Sequence, residues 1–121
     1  NEGGGTRVIV DRLVAVADVG RVVNPDVVRA QIMGGLVWGM AGATGASIGI
    51  ARGTPGPLRL GALGLPQMVD CPRIDIELIV SNAEPGGAGE VAVPLVAPAI
   101  AGALFAGSGV RYRSLPLIQD A

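Results

Sequence analysis

No charged residue falls between Arg29 and Arg52, and none between Glu90 and Arg111. As a helix, each gap is long enough to cross a hydrocarbon core of about 30 Å. The two runs therefore either span a membrane or lie buried among other elements. The first also carries Gly35 and Gly39 in the G-x-x-x-G spacing of a helix-dimer face. Both runs, however, are diluted with small residues, and the second holds Pro94 and Pro98. Neither is flanked symmetrically by Trp, Tyr, Lys or Arg. Burial in a soluble folded domain is the favoured reading, and a pair of glycine-rich membrane spans is the alternative.

The 121 residues suit one domain, residues 1–121, and an apolar half of the chain is too much for a disordered tail. Twenty glycines and nine prolines follow no G-X-Y period. All nine basic residues are arginines and there is no histidine. That excludes Ser-His-Asp and Cys-His catalysis, His-ligated zinc, a P-loop lysine and a lysine Schiff base. Cys71 alone can form neither an intrachain disulfide nor a multi-cysteine cluster. A net charge of −1 with scattered arginines gives no footprint for nucleic acid or anionic lipid. No signal-peptide pattern opens the chain. Asn1 stands where an initiator Met would, which points to a piece of something longer.

Residues 7–18 are Val-rich and partly alternate, which predicts a strand. Asn24-Pro25-Asp26 is a helix start, with a capping amide, a proline for the first helical position and an acid for the positive end. Val28, Ile32, Leu36 and Met40 then recur on one face, so a helix is expected over 25–42. Its glycines cost helix propensity, and fit if another backbone or a ligand comes close. Residues 46–52 and 57–63 read as two strands around Gly53-Thr54-Pro55-Gly56, with a loop over 64–72. Arg73 to Val80 alternates, with Ile74, Ile76 and Leu78 inward and Asp75 and Glu77 outward. A second helix is expected over 94–106, closed by Gly107 and Gly109, and a last short strand over Arg111–Leu117. The class is α+β, two layers, with a small mixed or antiparallel sheet packed on two main helices.

The chemistry candidates are few. Gly86-Gly87-Ala88-Gly89-Glu90 is a turn that can leave backbone amides open to an anionic or oxo group, with a carboxylate at the lip of an apolar helix. A carboxylate against that much apolar surface is expected to hold its proton more tightly, as a general base or acid needs. Residue types alone favour the plainer reading, a solvated Glu near a helix start. Gln31 can offer two donors and an acceptor to a ligand edge, yet the residue type alone favours an ordinary surface or interhelix Gln. Trp38 could wall a ligand, but a core position is the better expectation. Cys71 is expected to pack rather than react. Asp75 and Glu77 face solvent, which gives a paired-carboxylate site little support.

Two segments together carry a family resemblance. GRVVNPDVVRAQIMGGLVWGM (20–40) and PRIDIELIVSNAEPGGAGEVAVPLVAPAIAGALFAGSG (72–109) resemble the C-terminal part of the large subunit of the molybdenum hydroxylases. That family includes xanthine dehydrogenase, aldehyde oxidase and their bacterial relatives. The likeness is greatest to large subunits of the isoquinoline 1-oxidoreductase and bacterial aldehyde dehydrogenase type. It covers roughly residues 7–117, with RYRSLPL (111–117) as a further match. The combination NPD-x-x-x-x-Q-x-x-GG with P-GG-x-GE at this separation is more specific than either half.

The resemblance implies an oxidoreductase segment that hydroxylates an N-heterocycle or aldehyde with water-derived oxygen. By the same likeness Glu90 is the catalytic base, and Gln31 and Gly89 touch the cofactor. No side chain is implied as a direct metal ligand. The implied cofactor is molybdopterin carrying molybdenum, as the cytosine dinucleotide, held only in the complete enzyme. Implied partners are the remaining large-subunit segments, an iron–sulfur small subunit and the small-molecule substrate, with neither nucleic acid nor membrane. The chain alone is expected to be inactive and to self-associate. A cytoplasmic setting is expected, with the periplasm as alternative. Val91 follows Glu90 where family members often have Pro, which predicts a looser turn. The competing reading is a non-catalytic accessory or interaction module derived from the same fold.

Overall fold

Helix α1, Pro25–Thr44, begins where its capping chemistry says it should. The Asn24 side chain accepts from the Val27 N–H at 3.2 Å, and Pro25 fills the first position, where no amide proton is needed. Ile32, Leu36, Met40 and Ala43 of α1 are buried against Ala92, Val96, Ile100 and Leu117. Helix α2, Val93–Ser108, supplies Val96 and Ile100 of that opposing face, with Ala92 just ahead of it, and ends on Gly109 in the left-handed region. These coordinates are a computed structural model, and they describe residues 8–56 and 59–117.

The two helices meet backbone to backbone. A Cβ placed on Gly39 would lie 2.5 Å from the Val93 carbonyl oxygen and 2.8 Å from Val96 Cγ2. At Gly35 it would lie 3.3 Å from the Ala92 methyl. The G-x-x-x-G spacing thus serves an intramolecular crossing. Among the described residues no helix is long and apolar enough to cross a membrane.

Beneath the helices, β1 (Arg12–Ala17) and β4 (Arg73–Leu78) form a parallel pair. Leu13, Ala15 and Ala17 align with Ile74, Ile76 and Leu78, and these six pack against the core. The expected alternation of β4 is present, although the strand stops at Leu78 and β1 is shorter than 7–18, whose Arg7 lies outside the described residues. A separate antiparallel hairpin joins β2 (Gly49–Ala51) to β3 (Thr54–Gly56). The sheet content is therefore mixed, in an α+β arrangement of two layers.

Two expected strands are not there. Arg52 and Gly53 both have positive φ, 51° and 77°, the signature of a tight two-residue hairpin turn. The hairpin closes there, so Thr54-Pro55-Gly56 is strand rather than turn. Of the expected strand 57–63, residues 57 and 58 lie outside the described residues, and Leu60–Ala62 is a 3-10 turn. The loop over 64–72 contains another, Met68–Asp70, where the Asp70 carboxylate accepts from the Gln67 N–H at 2.8 Å. Arg111–Leu117 is irregular: the Leu117 N–H donates to the Ala43 carbonyl at the end of α1, at 2.9 Å, and Pro116 has no amide to give.

On the outer face of the parallel pair, Arg12 Nε donates to Asp75 Oδ2 at 2.7 Å and Arg73 Nε to Oδ1 at 3.3 Å. The Arg12 hydrogen bond, above all, holds the Asp75 carboxyl below its ordinary value of 3.8. Folded Asp75 stays ionised at a pH where the unfolded chain already binds a proton. Its stabilising contribution is thus present above 3.8 and lost as pH falls through the lowered folded value. Asp75→Asn is expected to make the drop in urea midpoint between about pH 5 and about pH 3 slightly shallower. An unchanged acid profile would contradict this.

Candidate functional site

The segment entering α1 is stitched to the glycine-rich turn. The Arg21 N–H donates to the Ala83 carbonyl at 3.0 Å, and the Gly86 N–H to the Val19 carbonyl at 2.8 Å. Gly20, at φ 75°, has no room for a side chain, since a Cβ would collide with the Glu84 carbonyl oxygen. With the Gly35–Gly39 crossing, this fixes the start of α2 over the middle of α1.

A cleft of about 690 Å³ opens at that junction. Gln31, Gly34 and Trp38 line it from α1; Gly89, Glu90 and Val93 line it from the turn and the first residue of α2. The three site residues expected from sequence, Gln31, Gly89 and Glu90, thus share one cleft. The Gln31 amide oxygen lies beside Gly89, 3.8 Å from where a Cβ there would sit. Glu90 is anchored by its backbone, because its carbonyl accepts from the Val93 N–H at 3.1 Å. That bond closes the turn although Val91 stands in place of a proline.

Glu90 and Gln31 are exposed, and among the described residues neither side chain has a hydrogen-bond or ion-pair partner. The apolar surround expected to bury Glu90 is not supplied by the described residues. The Gly86 amide is already used by Val19, whereas the Gly89 and Glu90 backbone N–H groups, which line the cleft, have no partner among the described residues. No group of three or more Cys, Asp or Glu among the described residues could hold a metal. The donor set lining the cleft is the Gln31 amide, the backbone N–H groups of Gly89 and Glu90 and one carboxylate, beside a glycine floor. It suits a polar, planar, anionic organic group and fits a molybdopterin-type cofactor.

Two expectations about side chains are corrected. Trp38 is no core residue: its indole is 75% exposed and walls the cleft. Position 38 lies about 200° around the helix from Leu36 and from Met40, a signal that the sequence carried. Cys71 is exposed rather than packed. A second groove of about 650 Å³, between β1 and α2, is mainly aliphatic, and Arg12 at its edge is committed to Asp75.

Residues 5–72, more than half of the chain, match the model of the molybdopterin cofactor-binding domain, and the chain belongs to that family. Its relatives bear out the resemblance to the molybdenum hydroxylases read from its motifs. It is 35% identical over 106 residues to the membrane-bound aldehyde dehydrogenase [pyrroloquinoline-quinone] of Gluconacetobacter polyoxogenes, covering 88% of this chain and 14% of that protein. It is 30% identical over 108 residues to the isoquinoline 1-oxidoreductase subunit beta of Brevundimonas diminuta, with 89% and 14% covered. The solved Cu,Mo-CO dehydrogenase, carbon monoxide reduced state, shares the fold: TM-score 0.70 at 22% identity, over 88% of this chain and 14% of that one. The chain thus spans about 14% of the length of these proteins.

Proposed function

We propose that this chain is the part of a molybdenum-dependent oxidoreductase that presents a general base, Glu90, beside the bound cofactor, where it would take the proton from the water-derived oxygen that adds to the substrate carbon. The observation that carries this reading is the meeting of Gln31 and Glu90 in one cleft, from opposite sides of a helix crossing with no room for side chains. The substrate class is an N-heterocycle or an aldehyde, hydroxylated with oxygen from water. When bound, the molybdenum cofactor supplies the redox chemistry by taking up the electrons released from the carbon.

This chain's residues do the rest. Glu90 accepts a proton at a carboxylate oxygen, on a backbone turn held by the Val93 N–H. The Gln31 amide offers donors and an acceptor to the edge of the cofactor beside Gly89. The open amides of Gly89 and Glu90, next to the positive end of α2, favour an anionic oxygen or phosphate. A cytosine dinucleotide form of molybdopterin would bring such phosphates. Val93 and Trp38 give the cleft two apolar walls.

The remaining walls, the tight hold on the cofactor and the route for electrons come from further large-subunit segments and an iron–sulfur small subunit. The isolated chain neither retains molybdopterin tightly nor turns over. Metal analysis of the purified chain tests this: stoichiometric molybdenum with hydroxylase activity would contradict it. Val23, Met68, Val69 and Val80 are each at least 85% exposed, and bare aliphatic side chains of this kind favour self-association of the isolated chain. Sedimentation velocity on the chain alone should show the average mass rising with concentration. A concentration-independent monomer would refute that self-association.

A further inference from the structure

Gln31, Gly34 and Trp38 follow one another along one side of α1, at the third and then the fourth residue on. A Cβ on Gly34 would meet nothing within 4 Å, so a bare slot separates the Gln31 amide from the exposed indole. The opposite side of α1 is locked into the core, and the crossing at Gly35 and Gly39 leaves the helix no freedom to turn. Trp38 is thus a large planar surface, set without a covering side chain at the wall of the Glu90 cleft. The apolar face of an indole is best covered by another ring, offset-stacked or edge-on.

We infer that Trp38 is the ring-binding wall of this cleft, and that a planar nitrogen heteroaromatic ring stacks on its indole. The inference rests on the proposed reading of the cleft and deepens it, because a stacking wall favours a planar ring over an aliphatic aldehyde. The ring could belong to the cofactor's pterin or to an N-heterocyclic substrate, and the two sources separate by experiment.

Trp38 is the chain's sole tryptophan, so its indole N–H gives one resolved signal in a proton–nitrogen correlation spectrum. The full chain is titrated with pterin-6-carboxylate, isoquinoline and butyraldehyde in turn. The expected result is a saturable shift of the indole signal with at least one planar probe and none with butyraldehyde. A shift with the pterin alone assigns the ring to the cofactor, and one with isoquinoline alone assigns it to substrate; either supports the wall.

Ligand-observed titration of Trp38→Ala should show binding of the same probe about three- to tenfold weaker, and Trp38→Phe within about twofold of the parent chain. Circular dichroism checks that both variants remain folded. Unchanged affinity in Trp38→Ala overturns the inference, as does an equal shift with butyraldehyde. An indole signal that moves only with protein concentration would assign Trp38 to contact between chains and also overturn it. Gln31→Ala separates the two levels. If it weakens pterin binding while Trp38→Ala does not, the cofactor cleft survives without this wall; if neither variant has an effect, both readings fail.

Discussion

Replacing Glu90 by Gln in the complete enzyme is expected to lower kcat by about 10²- to 10⁴-fold, the usual worth of a positioned general base. Gln keeps the length and planarity of the side chain and removes only its capacity to take a proton. Glu90 makes no contact among the described side chains that the fold depends on, so stability and cofactor content should be unchanged. Its backbone bond to the Val93 N–H does not involve the carboxylate and persists in the variant. The measurement is steady-state hydroxylation with molybdenum content determined on the same sample. Retained turnover at full molybdenum occupancy would remove Glu90 from the role of base and favour a non-catalytic module.

The second large effect falls on folding. At Gly39 the added methyl of Ala would come 2.5 Å from a backbone carbonyl oxygen, which cannot swing aside as a side-chain end can. Overpacking of this kind costs about 1–3 kcal/mol, while helix propensity returns about 0.5–1 kcal/mol, so the clash wins. Gly39→Ala should lose about 1–2 kcal/mol and Gly39→Val about 3 kcal/mol or more. Gly42 lies in the same helix with open space around it, and Gly42→Ala should gain about 0.5–1 kcal/mol. Urea unfolding of the three variants reads the contrast. Equal shifts at positions 39 and 42 would mean that α1 and α2 do not cross at Gly39, and the cleft would lose its frame.

What was legible in the sequence was local. Asn24-Pro25 marks a helix start because the cap is satisfied within one turn, and the Ile32–Leu36–Met40 row marks its buried face. The alternation of 73–78 marked β4 but not its partner, because β1 pairs in parallel across most of the chain. The hairpin turn falls at Arg52-Gly53, a little before the expected Gly53–Gly56. Pro55-Gly56 looks like turn chemistry, whereas the turn uses a left-handed Arg52, a conformation uncommon outside glycine. Glu90, Gln31 and Gly89 were identifiable from their motifs, yet their meeting required Gly35 and Gly39 to let two backbones touch. A lone Trp reads as core because aromatic residues usually are, whereas the position of Trp38 opposite Leu36 and Met40 places it on the cleft side of α1.

The proposed place of the cofactor is the cleft between the middle of α1 and the entry to α2. A crystal structure of the complete, molybdenum-loaded protein tests it most directly. The expected result is the cofactor's organic edge within hydrogen-bonding reach of the Gln31 amide and the Gly89 backbone, with the Glu90 carboxylate facing the reacting position. Cofactor density on another face, with this cleft filled by a segment of polypeptide, would contradict the claim.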